Sequence, residues 1–178
     1  MKLTTSRLVL RPFDLADAPR LQELAGDRRV AATTVRVPHP YEDGMAEAFI
    51  EESRDACSAG RSCRLAIVKA EGNELIGTMG LEIEPEHARA ELGYWIGVPY
   101  WGHGYATEAG QAMLRHGFET HQLNRIMGHC FAHNRASARV LQKLGMKLEG
   151  RLNQHVCKWG EFVDVELYAT VRGQGTTY

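Results

Sequence analysis

The chain has 178 residues, 44% of them hydrophobic, enough apolar material for the core of one domain without staples. Lysine and arginine total 21 against 22 for aspartate and glutamate, a net charge of −1, so an electrostatic footprint for nucleic acid or an anionic membrane is missing. No apolar run of about 18 residues and no signal-type leader occurs, and Cys57, Cys63, Cys130 and Cys157 form no C-x-x-C pair, so a soluble cytoplasmic protein with reduced, mostly packing cysteines is expected.

In chain order, Arg7 to Phe13 alternates Leu8 and Leu10 with Val9 and Arg11 and is halted by Pro12, a first strand. Asp14 reads as the N-cap of a helix with Leu15, Ala18, Leu21 and Leu24 on its buried face, ending near Gly26. Residues 27–40 read as loop, with Pro38 and Pro40 excluding a helix there. A second, amphipathic helix is expected from Tyr41 to Ala59, with Met45, Phe49 and Ala56 on one side. Leu65 to Val68 and Leu75 to Ile83 form a hairpin around the turn residues Glu71 to Glu74, and Pro85 opens another turn. These two strands and the next make an antiparallel meander.

That next strand starts near Glu91 and alternates Leu92, Tyr94 and Ile96 with Gly93, Trp95 and Gly97, ending at about Val98 before Pro99. Gly102 and Gly104 then bracket His103, and a helix over 104–118 begins, with Tyr105, Ala109, Ala112 and Met113 on one face. A glycine-lined approach to a helix N-terminus presents bare N–H groups and the positive end of the dipole, an anion site suited to phosphate, although a tight turn without a ligand has the same spacing. Thr107 stands where a dinucleotide fingerprint needs its third glycine, and no Gly-Lys-Ser/Thr tripeptide exists, so neither a Rossmann nor a P-loop reading holds. A diphosphate held by backbone amides remains. Beyond it come a strand over Arg125 to Phe131, a helix over Arg135 to Leu144 with Ala136, Val140, Leu141 and Leu144 on one face, a closing Gly145, and strands over Met146 to Lys158 and Glu161 to Val171 around Trp159-Gly160. Residues 173–178 read as a tail.

The run Tyr100-Trp-Gly-His-Gly-Tyr-Ala-Thr-Glu-Ala109, followed by Asn134-Arg-Ala-Ser137 and Leu141-Gln-Lys-Leu-Gly-Met146, resembles the GNAT superfamily of acetyl-CoA-dependent N-acetyltransferases. It is most similar to the Rim-type branch of ribosomal-protein N-terminal acetyltransferases, over roughly Ser6 to Val171, and Thr5 to Phe13 also fits that branch. The resemblance implies a single α/β domain over 1–178 with a mixed, mostly antiparallel sheet, in the order β-α-α-β-β-β-α-β-α-β-β read above, with helices on both faces. Its fourth and fifth strands run parallel and splay, with the pantetheine arm of the co-substrate acetyl-CoA in the gap. Residues 27–60 would form one wall of the acceptor pocket. Pro99 departs from the family pattern, which expects a polar side chain there.

Acetyl transfer to an amine needs a deprotonated nucleophile, a polarised thioester carbonyl and a proton for the thiolate. The resemblance assigns the diphosphate to the amides of Gly102, His103, Gly104, Tyr105, Ala106 and Thr107, and the thioester to backbone near Ile96, Gly97 and Val98. Glu91 is a candidate base or a solvated strand-end carboxylate. Asn134 is implied as a cofactor contact and also suits a helix N-cap. Ser137 resembles the family's thiolate proton donor or is a first-turn cap, and Tyr168 is second choice as acid or a half-buried sheet residue. The branch's glutamate base falls at Val156, with His155 beside it on the other face. His129, Cys130 and His133 lack ligand geometry, and no metal is expected. Trp95, Tyr100, Trp101 and Trp159 line a pocket or simply pack. The acceptor is a peptide N-terminal amine or a small-molecule amine, and a homodimer is allowed. A non-catalytic acyl-CoA-binding module is the alternative reading.

Overall fold

The computed structural model describes residues 1–173, so all of the expected tail but Gly173 lies outside the described residues. Eight strands make one sheet: β1 (Leu3–Thr4), β2 (Leu8–Arg11), β3 (Ser62–Lys69), β4 (Leu75–Glu84), β5 (Arg89–Ile96), β6 (Arg125–Phe131), β7 (Lys147–Lys158) and β8 (Glu161–Val171). Their spatial order is β1-β2-β3-β4-β5-β6-β8-β7, and every neighbouring pair is antiparallel except β5 with β6. Five α-helices join them: α1 (Ala18–Ala25), α2 (Arg28–Ala32), α3 (Met45–Ser58), α4 (Tyr105–Glu119) and α5 (Arg135–Lys143).

The period-two pattern of β3 divides the core. Leu65 and Ile67 face one side, in one apolar cluster with Met113 and Leu114 of α4 and Leu141 of α5. Ala66 and Val68 face the other, under Leu21 and Leu24 of α1 and Ala46 and Ile50 of α3. All four β3 residues are at most 1% exposed, so this strand is buried on both faces and reads as an apolar run. Each fully buried leucine or isoleucine contributes about 1.5–3 kcal/mol. No helix among the described residues is long and apolar enough to cross a membrane.

Several expected boundaries shift for local reasons. Asp14 caps a 3-10 turn at Leu15–Asp17, accepting from the Ala16 amide, and Leu15 is 45% exposed; α1 proper starts at Ala18, with proline in its first turn. The stretch read as loop contains α2, capped by Asp27 and buried through Val30 and Ala31. Prolines at 38 and 40 restrict themselves and their predecessors, which does not reach residue 32. The second long helix starts at Met45, after Gly44 at φ 86°, not at Tyr41. β1 was too short to leave a pattern. In α5 the buried residues are Ala138 and Leu141, with Ala136 exposed. β5 stops at Ile96, because Val98–Tyr100 forms a 3-10 turn around Pro99. The β7–β8 hairpin turns at Trp159 (φ 53°) and Gly160 (φ 86°), the positive pair of a type I′ turn.

At Gly77 on β4, a Cβ would lie 2.3 Å from the Trp95 carbonyl oxygen, so the β4–β5 ladder requires glycine there. At Gly93 a Cβ would meet nothing within 4 Å. Gly77→Ala is expected to cost about 2–3 kcal/mol, read as a lowered urea midpoint, and Gly93→Ala to stay within about 0.5 kcal/mol.

Candidate active site

β5 and β6 pair only at Arg89–Arg125, Ala90–Ile126 and Glu91–Met127. Beyond Glu91, β5 keeps its register with β4 as far as Ile96, and β6 keeps its own with β8 as far as Phe131. Each strand follows the twist of its other neighbour, so the two part. The Gly97 amide donates to the Ile76 carbonyl at 2.8 Å. Because ladder bonds alternate along a strand, the N–H groups of Tyr94 and Ile96 then turn away from β4, into the gap. The gap opens into a cleft of about 560 Å³. Residues 33–38 and the first half of α3, through Met45, Ala48 and Phe49, wall it.

The chain leaves β5 through the turn that starts α4. Gly102 and Gly104 have φ 79° and 80°, left-handed values that residues with a Cβ disfavour. Among the described residues, no acceptor is bonded to the backbone N–H of Gly102, His103, Gly104, Tyr105, Ala106 or Thr107. Six amides at a helix N-terminus thus form a cradle for an anion. Glu108, in the first turn of α4, ties this cradle to the chain's N-terminal segment. Its carboxylate accepts from Thr5 Oγ1 (2.6 Å), Ser6 Oγ (3.1 Å), the Arg7 amide (2.9 Å) and Arg7 Nε (2.7 Å). Burial would raise this carboxyl, but the bonds from Thr5 and Arg7 hold it below the usual range. Arg7 also donates to the His103 carbonyl at 3.1 Å and lies over the Tyr105 ring, 4.7 Å from its centroid.

Of the expected thioester backbone, the Gly97 N–H is committed to Ile76, and the Ile96 carbonyl accepts from the Trp101 indole at 2.6 Å. Val98 lies outside the strand. The Ile96 N–H is the group left facing the gap.

Glu91 lies on the cleft wall with its side chain 34% exposed, 3.3 Å from His129 Nδ1. The hydrogen bond with His129 is the main reason its carboxyl sits below the ordinary range, against the pull of burial. Beside it, Glu82 pairs with Arg64 Nε at 2.6 Å, and Arg64 also reaches Glu52. On the opposite face of β5, Tyr94 places its hydroxyl 2.8 Å from Ser137 Oγ. Burial pushes the Tyr94 phenol well above its usual value. Asn134 caps α5, its Oδ1 accepting from the Ser137 amide at 3.1 Å while its Nδ2 donates to the Thr33 carbonyl at 3.3 Å.

The structure therefore brings Glu91, Ser137 and the backbone of β5 to one cleft and sets the Gly102–Thr107 turn just past the end of β5. It does not bring Tyr168 there. That ring is 1% exposed in the core, its hydroxyl donates to Glu166 at 2.8 Å, and burial followed by the Glu166 bond pushes the phenol up to about 12. Val156 pairs with Val163 beyond a register shift in β7, also away from the cleft. Trp95 lines the cleft, whereas Tyr100 bonds Glu74 and Arg20, and Trp159 packs on Arg28 and His39. His129 and Cys130 turn to opposite faces and, with His133, make no metal-ligating trio among the described residues. Two partners were missed in the sequence, His129 for Glu91 and Tyr94 for Ser137. The signal for the first was the parallel register, which puts His129 two residues past the partner of Glu91; for the second it was strand alternation, which sets Tyr94 opposite Glu91.

The profile of the acetyltransferase (GNAT) domain matches residues 7–147. A Bacillus licheniformis protein named as the uncharacterised N-acetyltransferase p20 is 34% identical over 96% of both chains. The ribosomal protein uS5 alanine N-acetyltransferase of Escherichia coli is 28% identical over 95% of this chain and 90% of that protein. Among solved structures, a RimL ribosomal alpha-N-protein acetyltransferase in complex with coenzyme A superposes with a TM-score of 0.89 at 22% identity, covering 96% of this chain and 98% of that one.

Asn134→Ala removes both the α5 cap and the link to Thr33, and is expected to lower stability by about 1–2 kcal/mol in urea unfolding. Asn134→Asp keeps the capping oxygen and should recover most of that loss.

Proposed function

The chain belongs to the GNAT acetyltransferase domain family and is an acyltransferase, and from that premise we propose that it moves acetyl from acetyl-CoA to a primary amine by direct attack within a ternary complex. One observation carries the reading: a gap edged with bare N–H groups has Glu91 and His129 on one wall and Tyr94 and Ser137 on the other. The coenzyme A bound by RimL and the protein-alanine acceptor of the Escherichia coli relative make a peptide α-amine the first acceptor class to test.

In this reading the amides of residues 102–107 hold the diphosphate, and the free edge of β5 pairs with the amides of the pantetheine arm as an added strand would. The Ile96 N–H polarises the thioester carbonyl. An α-amine, with a pKa of about 7.7–8.0, arrives mostly as ammonium and must lose a proton. Glu91, held below the carboxylate range by His129, is too acidic to take that proton efficiently. It serves instead to hold the His129 Nδ1–H, leaving Nε2 as base, directly or through a water. This pair does the work that the Rim-type branch gives to the glutamate missing at Val156.

As the N–C bond forms and the C–S bond breaks, charge moves to the thiolate. A serine hydroxyl and the raised Tyr94 phenol both hold protons more tightly than a thiol of pKa about 8.5. Ser137, oriented by Tyr94, therefore acts as a hydrogen-bond donor to the thiolate; the ammonium proton that His129 takes before attack passes to solvent, and the second proton, lost by nitrogen as the N–C bond forms, is the one that ends on sulfur. Cys130 lines the cleft, but burial raises its thiol to about 11, which fits direct attack without an acetyl-enzyme.

Thiol release from acetyl-CoA across a panel of N-terminal peptides and small amines tests the reading. Amine-dependent release is expected; binding without turnover on the whole panel overturns it. His129→Ala should lower kcat/KM by about 10²–10³ at pH 7, with the deficit shrinking above about pH 8 as the acceptor deprotonates unaided. Glu91→Gln should give a smaller loss with the same pH trend. Gly104→Val forces a β-branched side chain to φ 80° beside Arg7, and should weaken coenzyme A binding by at least about tenfold in calorimetry while the circular dichroism spectrum is unchanged.

A further inference from the structure

At the end of α4 farthest from the glycine turn, three side chains from separate parts of the chain meet. Cys63 lies near the start of β3, His116 in the last turn of α4, and His121 just beyond that helix. The Cys63 Sγ and one ring nitrogen from each histidine lie within 4.8 Å of one another, the one such trio among the described residues. Cys63 is 1% and His116 8% exposed, while His121 faces solvent. The two imidazoles meet edge to face with centroids 4.8 Å apart.

A second observation falls on a member of this trio. His116 Nε2 is buried and has no hydrogen-bond partner among the described residues. Buried polar atoms in native structures are nearly always paired, so an unpaired imidazole nitrogen beside a thiol and a second imidazole calls for a partner. An apolar side chain at position 116 would fill the same space without that penalty. The donor set, one sulfur and two imidazoles with no carboxylate, suits a borderline-soft ion and not calcium or magnesium.

We propose that Cys63, His116 and His121 form a binding site for a thiophilic divalent cation of the zinc class, with the fourth tetrahedral position open to water on the His121 side. Cys63 Sγ gives its proton to solvent and bonds the ion as thiolate; no oxidant or reductant takes part. Bonds of about 2.3 Å to sulfur and 2.0–2.1 Å to nitrogen place tetrahedral ligand atoms about 3.3–3.6 Å apart, so the trio closes by roughly an ångström, which rotation of the exposed His121 supplies. Without the ion, burial raises the Cys63 thiol and lowers both imidazoles, disfavouring charge on each. The ion reverses that preference. His116 lies twelve positions after Gly104, roughly 18 Å along the axis, which sets the site apart from acetyl transfer.

Titration of the full chain with Co2+ tests this without any activity measurement. The expected result is one ion per chain, with a sulfur-to-cobalt band in the near ultraviolet and visible bands of four-coordinate cobalt, displaced by Zn2+. His121→Ala, at an exposed position between elements, should fold normally and bind at least about a hundredfold more weakly, since it removes a direct ligand. Cys63→Ser should abolish the sulfur band, and Cys57→Ser, which removes an exposed thiol, should leave it. Uptake without the sulfur band, a band that follows Cys57 instead of Cys63, or wild-type affinity in His121→Ala overturns the proposal.

Discussion

Two strands that begin as partners and then separate set the terms for the rest of this structure. A buried backbone N–H or C=O needs a partner, and β5 and β6 supply each other with partners at only three positions. Past Glu91 the facing edges have none within the sheet, and the space between them cannot close, because β4 and β8 each hold their neighbour in register. What fits such a gap is an extended ligand with amides of its own. The turn that follows β5 lies just past its end, so the same strand that offers an edge also delivers a helix N-terminus.

Alternation along β5 distributes the chemistry. Glu91 and Trp95 face one side of the sheet, Tyr94 the other, and the N–H of Ile96 lies in the plane between them. On the proposed reading, the groups that handle protons are thus kept on opposite walls, within one short strand, while the carbonyl to be polarised lies where the two faces meet. The electrostatics agree: His129 keeps Glu91 ionised, and burial keeps the Tyr94 hydroxyl protonated.

Much of this was legible in the sequence where pattern and punctuation coincide. The strands Arg125–Phe131 and Glu161–Val171 have the bounds their alternation implies, and Gly145 closes α5 at φ 78° as a C′ glycine does. The glycine turn and the Asn134 cap were visible because their residue types answer a backbone need. Depth was not visible: alternation sets Tyr168 and Glu166 on one face without revealing that the ring is sealed in the core. Nor were partners joined across strands, since the His129–Glu91 pair exists only through the parallel register, and the Cys63, His116 and His121 trio only through packing of α4 on the sheet. α2 escaped because five residues are too few for a periodic signal, and its cap and two buried side chains depend on tertiary contacts.

The carboxylate of Glu108 gathers Thr5, Ser6 and Arg7 onto the first turn of α4, and in doing so pairs the Arg7 guanidinium beside the glycine turn. As proposed, the anion cradle therefore relies on oriented peptide dipoles, with the neighbouring Arg7 charge already paired. Such a receptor discriminates by shape, since its donors cannot swing to meet a misplaced oxygen. It is also largely blind to ionic strength, because fixed dipoles at contact distance lie inside the range over which dissolved ions screen.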